Sequence, residues 1–398
     1  MQSIKELYKQ GHGPSSSHTM APLTAANEFL ARFPNVDYIK VILYGSLALT
    51  GKGHLTDYII EKTLMPIPCQ IIFDYETVKN HPNTLEFYGY KGKALLGKMT
   101  VYSVGGGRIL IDGEEEKLAK NIYPYTKFKD VAKYCQENGM TLVDYVDKYE
   151  ENDLNLYLDT IFETMLNSVK RGLANTGVLP GKLEVKRKAA YIYQQNIKDA
   201  SEDEYLRKKV LAYAYATSEE NAAGGLIVTA PTCGASGVMP ACLQHALDLN
   251  RYSHETLIAG LKVAGLIGNI VKTNGSISGA EAGCQAEVGT ACAMAAAFMS
   301  YINGGNTDNI ERAAEIALEH HLGLTCDPIG GYVQIPCIER NAVAALRAID
   351  AAKLASYITS NDAKISFDLV VDAMLETGRD LKTDYRETAA GGLASKYH

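Results

Sequence analysis

The amino-acid sequence predicts an α+β protein: an N-terminal α/β domain over residues 1–130, then an all-α domain over residues 140–398. Three observations lead there. Strand-type runs fall only in the first part. Apolar residues recur at helical spacing almost throughout the second. Gly- and Ser-rich breaks separate the later helices. With 398 residues, 46% of them hydrophobic, the chain can bury two packed cores.

Taken in order, Thr19 to Phe33 has helical apolar spacing, with Ser17, His18 or Thr19 as candidate caps. Tyr38-Ile-Lys-Val-Ile-Leu-Tyr is a β-rich run that stops at Gly45. Ile71-Ile-Phe and Lys98-Met-Thr-Val-Tyr-Ser-Val are further strands, the latter ending at Gly105-Gly-Gly. Glu114-Glu-Glu-Lys-Leu-Ala-Lys-Asn reads as a polar exit, which sets the boundary at 115–140. Helices are then expected at Asp153–Arg171, Lys186–Lys198, Glu204–Asn221, His254–Lys272, Asp308–Glu319, Arg340–Tyr357 and Phe367–Leu381. The breaks between them include Pro231-Thr-Cys-Gly-Ala-Ser-Gly, Asn274-Gly-Ser-Ile-Ser-Gly and Asp327-Pro-Ile-Gly-Gly. Helix interiors disfavour Gly, so such junctions suggest backbone that approaches something closely.

The formal net charge of −7 gives no basic footprint, so nucleic acid is not an expected partner. Residues Met1 to Lys9 lack the apolar core of a signal peptide. The Ala-rich stretch from Gly289 to Ile302 is too short to span a bilayer, so no membrane partner is expected either. Eight cysteines without a secretory signal suit a reducing compartment, and the cytoplasm is the expected location.

Cys284, Cys326 and Cys337 each sit at a Gly- or Pro-punctuated junction. Loop-held thiols can converge on one point, and thiolates are the usual ligands of iron–sulfur clusters. Their separations of 42 and 11 residues are not those of a C-x-x-C cluster, and each thiol could equally be a small buried hydrophobe. Zinc is a third reading, because His320 and His321 lie near Cys326 in sequence. The remaining cysteines read as core, with Cys233 set apart by its Gly-rich turn.

Several longer motifs narrow these alternatives. Gly13-Pro-Ser-Ser-Ser-His-Thr, Tyr44-Gly-Ser-Leu-Ala-Leu-Thr-Gly-Lys-Gly-His and Ser103-Val-Gly-Gly-Gly resemble the N-terminal motifs of iron–sulfur L-serine dehydratases. So do Glu219-Glu-Asn-Ala-Ala-Gly-Gly, Ser276-Ile-Ser-Gly-Ala-Glu-Ala-Gly-Cys-Gln-Ala-Glu-Val-Gly and Leu322-Gly-Leu-Thr-Cys-Asp-Pro-Ile-Gly-Gly. Pro336-Cys-Ile-Glu-Arg-Asn and Tyr385-Arg-Glu-Thr-Ala-Ala-Gly-Gly-Leu-Ala complete a set that runs in the family's order from Ile4 to Ala394.

The resemblance implies a β-type domain followed by an α-type iron–sulfur domain, and deamination of L-serine to pyruvate and ammonia. It implies a [4Fe–4S] cluster on Cys284, Cys326 and Cys337, with one iron lacking a protein ligand and acting as a Lewis acid. No pyridoxal phosphate is expected, since no lysine lies in a recognisable phosphate-loop context. His54 is implied as the general base and His18 as a substrate-anchoring residue. Ser15, Ser16, Ser17 and Thr19 are candidate carboxylate ligands, and Gly105 and Gly106 form a loop that approaches the substrate. Asn221, Ser276 and Ser278 are candidate partners of the amino group or cluster sulfides, and Arg340 of the carboxylate. A homodimer is the implied assembly.

Two departures stand out. Cys233 occupies a turn position where the family commonly has Asn, which bears on substrate preference. Relatives with a tail cysteine can place it on the fourth iron, whereas this chain ends Ser395-Lys-Tyr-His398, so water or a small anion is expected there. The competing functions are β-elimination from threonine or cysteine, since a pocket discriminates weakly against one methyl, and a non-catalytic iron–sulfur or zinc-binding role.

Overall fold

The computed structural model describes residues 1–115, 119–358 and 363–397. It is mixed α and β, 55% helix and 11% strand, so helices do most of the packing. The strands are β1 (Gln10–His12), β2 (Tyr38–Tyr44), β3 (Cys69–Asp74), β4 (Thr84–Lys91), β5 (Ala94–Ser103), β6 (Ile109–Ile111) and β7 (Leu226–Val228). The first helices are α1 (Ala21–Arg32), α2 (Ser46–Thr50) and α3 (Thr56–Leu64). After β6 come α4 (Phe128–Asn138), α5 (Leu142–Tyr149), α6 (Leu154–Ala174), α7 (Ala189–Gln194) and α8 (Glu202–Ala222). The remainder are α9 (Val238–Asp248), α10 (His254–Asn274), α11 (Gly279–Ala282), α12 (Thr290–Ile302), α13 (Thr307–Glu319), α14 (Cys337–Tyr357) and α15 (Phe367–Asp380).

Five strands form one sheet in the order β3-β2-β4-β5-β6, with β2 parallel to β3 and the other pairs antiparallel. Its pattern follows from strand periodicity: Ile39, Val41 and Leu43 of β2 alternate inward, and Val41 sits opposite Phe87 and Leu43 opposite Leu85. Phe29 of α1 and Ile60 of α3 cover that face, making a core separate from the helical one.

The helical core is larger and includes Ile4, Leu7 and Tyr8 from the chain's beginning. The Tyr8 hydroxyl donates to the Leu261 carbonyl at 3.0 Å, and β1 pairs antiparallel with β7. The first dozen residues therefore lie in the helical body, and the chain reaches the sheet only afterwards. That part is consequently not free of strand, as the all-α expectation had it. The polar stretch from Glu114 was expected to mark the domain exit; its residues 116–118 fall outside the described residues.

Other differences have local causes. The expected helix Lys186–Lys198 shrinks to α7, because Lys186 bridges Val178 and the Arg187 N–H is spent on the Gly177 carbonyl. Strand β4 has no counterpart among the expected strands, because its second face carries Glu86 and Tyr88, a polar cluster closed by Tyr44. Helix α10 is long and apolar enough to cross a membrane by length and composition alone. Most of that apolar stretch, 78%, is buried inside the protein, which is the setting of a core helix.

Helices α6 and α8 touch at Gly172, where a Cβ would lie 2.1 Å from the Ala216 carbonyl oxygen. Backbone cannot swing aside as a side chain can, so overpacking here has no cheap relief. Gly172→Val is expected to lower unfolding stability by about 1–3 kcal/mol or more, measured by denaturant unfolding. An unchanged midpoint would show that the two helices separate freely.

Candidate active site

After β1 the chain passes between the two cores. A Cβ on Gly13 would lie 2.1 Å from Asn221 Oδ1 and 2.4 Å from its backbone oxygen, so only glycine fits here. The Asn221 amide donates to the Pro14 carbonyl at 3.3 Å, and its buried Oδ1 has no hydrogen-bond partner among the described residues. Asn221 thus holds the start of the serine run and does not itself line the cavity.

The turn that follows, Ser16–Met20, is of π type and runs into α1. Its cap is Ser15, whose side chain accepts from the His18 N–H at 3.2 Å; the expected caps Ser17, His18 and Thr19 lie inside the turn. Pro22 explains the wide turn. It has no N–H to offer the His18 carbonyl four residues back, and the Thr56 hydroxyl donates to that carbonyl instead, at 2.6 Å.

The same seam seats His54. The Thr19 hydroxyl donates to the His54 carbonyl at 2.8 Å, and the His18 and His54 rings lie 4.6 Å apart between centroids. His54 ends a tight turn after α2 and is buried. Its Nδ1 lies 3.0 Å from the Thr50 carbonyl, which can only accept, so Nδ1 carries the proton and Nε2 keeps the lone pair. Burial pulls the His54 pKa down to about 4, which keeps the ring neutral. His18 is shifted in the same direction, by burial and then by its neighbour His54, since the two rings disfavour being protonated together. Both its nitrogens are engaged, with the hydroxyls of Ser17 (2.8 Å) and Ser46 (3.0 Å), so His18 stands behind His54 and outside the cavity lining.

His54 opens onto a cavity of about 300 Å³ that Cys284, Cys326 and Cys337 also line. Cys284 follows α11; Cys326 lies in a loop; Cys337 is the first residue of α14, where the helix dipole favours a thiolate. The C-terminal segment straps the Cys326 loop in place, its Tyr385 carbonyl accepting from the Cys326 N–H and its Glu387 N–H donating back. Hydrogen bonding to Cys284 and burial push the Cys326 thiol well up, and burial does the same for Cys337. All eight cysteines are free.

Ser15, Ser16 and Ser17 reach the cavity from one wall, Gly105 and Gly106 from the β5–β6 turn, and Ser276 and Ser278 from the stretch after α10. Ser276 is also structural, donating to Glu281 and accepting from the Ser278 N–H. Thr19 and Arg340 do not line it. The Arg340 guanidinium donates to the Thr325 carbonyl and lies 3.5 Å from Asp327, with Cys284 and Cys337 in its electrostatic reach. Cys233 does line the cavity, its sulfur 3.3 Å from the Ser16 hydroxyl, and burial raises its pKa to about 12. His320 and His321 turn back to carbonyls of their own helix and are not in the lining, so the zinc reading loses its nitrogen ligands. Ser395, Lys396 and Tyr397 are exposed and away from the cavity; His398 is outside the described residues.

Four acidic residues outside the expected site line the cavity, Glu6, Glu281, Glu287 and Glu387, and the last two stand by the thiols. Glu287 brings a carboxylate oxygen within 4.8 Å of the Cys284 and Cys326 sulfurs, and burial raises its pKa to about 7. Its place three residues after Cys284, on the same turn, was the available signal. Glu387 faces the same cavity and is raised to about 8 by burial and by Glu287. It lies in the Tyr385–Ala394 motif, but only the strap on Cys326 decides that it meets the cavity.

Residues 94–394 match the family described as serine dehydratase alpha chain, and residues 3–67 match serine dehydratase beta chain. The chain is 38% identical to an L-serine dehydratase of Haemophilus influenzae and to L-serine dehydratase 2 of Escherichia coli, each alignment covering 100% of this chain and 99% of the relative. An L-serine dehydratase of Streptomyces coelicolor is 37% identical over 98% of both chains.

An unfolded imidazole titrates near 6.5 and folded His54 near about 4, so the native state binds fewer protons between those values. The stability that His54 contributes is therefore present above 6.5 and lost as pH falls toward 4. In NMR the His54 ring should keep its neutral signature from about pH 8 to about pH 5.5; a midpoint near 6.5 would mean that the ring is solvated.

Proposed function

This chain belongs to the L-serine dehydratase family and is an ammonia-lyase, and we propose that it deaminates L-serine to pyruvate and ammonia in the cavity between His54 and the three cysteines. The observation that carries this reading is convergence: Cys284, Cys326, Cys337 and His54, far apart in the chain, line one cavity. The relatives lend no support to threonine, to cysteine or to a non-catalytic role.

The donor set fits a [4Fe–4S] cluster, because three buried thiols held in no disulfide face one space and a guanidinium behind them offsets thiolate charge. Cys284, Cys326 and Cys337 would hold it, and when bound it supplies a Lewis-acidic iron, open to the serine hydroxyl that leaves. The protein's own groups account for the rest. Neutral His54 takes the α-proton at Nε2, while the Thr50 carbonyl fixes the tautomer and steadies the imidazolium that forms. Ser16, Ser17 and Ser278 offer hydrogen bonds to the amino acid from opposite walls, and His18 positions His54. Cytoplasmic residence, supported by the free thiols, and a homodimeric assembly belong to the same proposal.

Changing Cys284, Cys326 or Cys337 singly to Ser should remove bound iron, absorbance near 400 nm and serine turnover together. Cys69→Ser, outside the cavity, should leave all three. Full iron and turnover in any of the first set would break this ligand assignment. His54→Ala should keep its iron and lose at least about 10² in kcat; retained turnover would move the base elsewhere.

A further inference from the structure

The amino acid proposed for this cavity carries an α-carboxylate, and a carboxylate leaving water needs charged or multiple donors. Arg340, the expected cation, is committed to Thr325, Asp327 and the Cys284 thiol and does not itself line the cavity. Three other cations do line the cavity: Lys9, Arg108 and Lys272. Lys9 is paired with Glu6 at 2.8 Å. Lys272 stands in the last turn of α10, half-buried, and its Nζ donates at 3.0 Å to the side-chain oxygen of Gln2, a neutral partner. It forms no ion pair among the described residues.

We propose that Lys272 is the carboxylate-recognising residue of this site, holding the α-carboxylate of the amino acid and so selecting substrates that carry one. The inference rests on the reading that the cavity takes L-serine. The location suits it, because the chain turns at Gly275 directly after α10 and runs along the cavity wall through Ser276 and Ser278. An ammonium there faces the space that the thiols and His54 share. Burial and then Lys9 and Arg108, only partly offset by the Glu6 carboxylate, bring the Lys272 pKa down to about 8, so an arriving anion relieves the crowding of positive charge. Negative charge that spreads onto the carboxylate as the α-proton leaves would be stabilised at the same contact.

The test uses the iron-loaded enzyme and compares L-serine with L-serinamide, which lacks the carboxylate charge. Lys272→Met should keep its iron content and melting temperature and raise KM for serine by about 10- to 100-fold. Turnover of serinamide, already poor, should hardly change, so the preference for serine over serinamide should fall by a similar factor. Calorimetric binding of pyruvate, a carboxylate that does not react, should weaken in parallel. Lys272→Arg keeps the charge and should keep most of the serine preference, which a purely structural lysine would not require. An unchanged KM in Lys272→Met, equal losses for serine and serinamide, or an Arg variant that behaves like Met would each overturn the assignment. Those outcomes presuppose wild-type serine turnover. An intact, iron-loaded wild type that leaves serine untouched would instead count against the proposed function.

Discussion

Gly13 against Asn221 is the contact on which the site depends. The chain begins inside the helical body, with Ile4, Leu7 and Tyr8 in its core, and must cross to the sheet within a few residues. It can do so at this depth only because Gly13 has no Cβ, so backbone meets side chain directly. The crossing aims Ser15, Ser16 and Ser17 at the cysteine cavity and sets His18 beside His54. The Thr56 hydroxyl then binds the His18 carbonyl that Pro22 leaves open, and the Thr19 hydroxyl binds the His54 carbonyl, so the two histidine segments are tied together. A general base on one core and thiols on the other can share a cavity only if this seam is rigid.

Burial sets the chemistry of that cavity by acting in opposite senses on opposite kinds of group. It disfavours charge, so it lowers His18 and His54 while raising Cys326, Cys337, Glu287 and Glu387. Around the thiols and His54 the result is a set of groups that burial holds toward their neutral forms, rich in donors that become anionic when a metal takes their protons. On the α10 side stand Lys9, Arg108 and Lys272, so the cavity is polar in two senses at once. An amino acid whose hydroxyl must leave and whose carboxylate must be held is complementary to such a gradient.

Motif residues divide into those that meet the cavity and those that build its frame. Glu219 and Glu220, which open one of the motifs, are frame. Glu219 accepts from the Lys188 N–H, while Glu220 gathers Arg171, Asn175 and Arg187 around the end of α8. Arg340 also belongs to the frame, locking the Cys326 loop to the first turn of α14. A motif marks a requirement without saying whether packing or chemistry imposes it.

Local sequence determined much of this protein. The alternation in Tyr38–Tyr44 defined a strand to the residue, and the long apolar periodicities located α6, α8, α10, α13, α14 and α15 within a few positions. Those signals are legible because burial on one face imposes a period on neighbouring residues. The three cysteines, His54 and the serine run could be named from their motifs, since motif residues carry their identity in short segments. Tertiary structure alone decided which of them meet. The first residues join the helical body because Leu7 and Tyr8 find apolar partners there, a contact of high sequence separation that leaves no periodic trace. Glu387 enters the cavity because the C-terminal strap pairs with Cys326, and Lys272 because its helix ends at the wall. Arg340 and Asn221 stay out because carbonyls and a close backbone approach claim them first. Which partner a buried polar group finds depends on three-dimensional competition for hydrogen bonds, and no window along the chain records it.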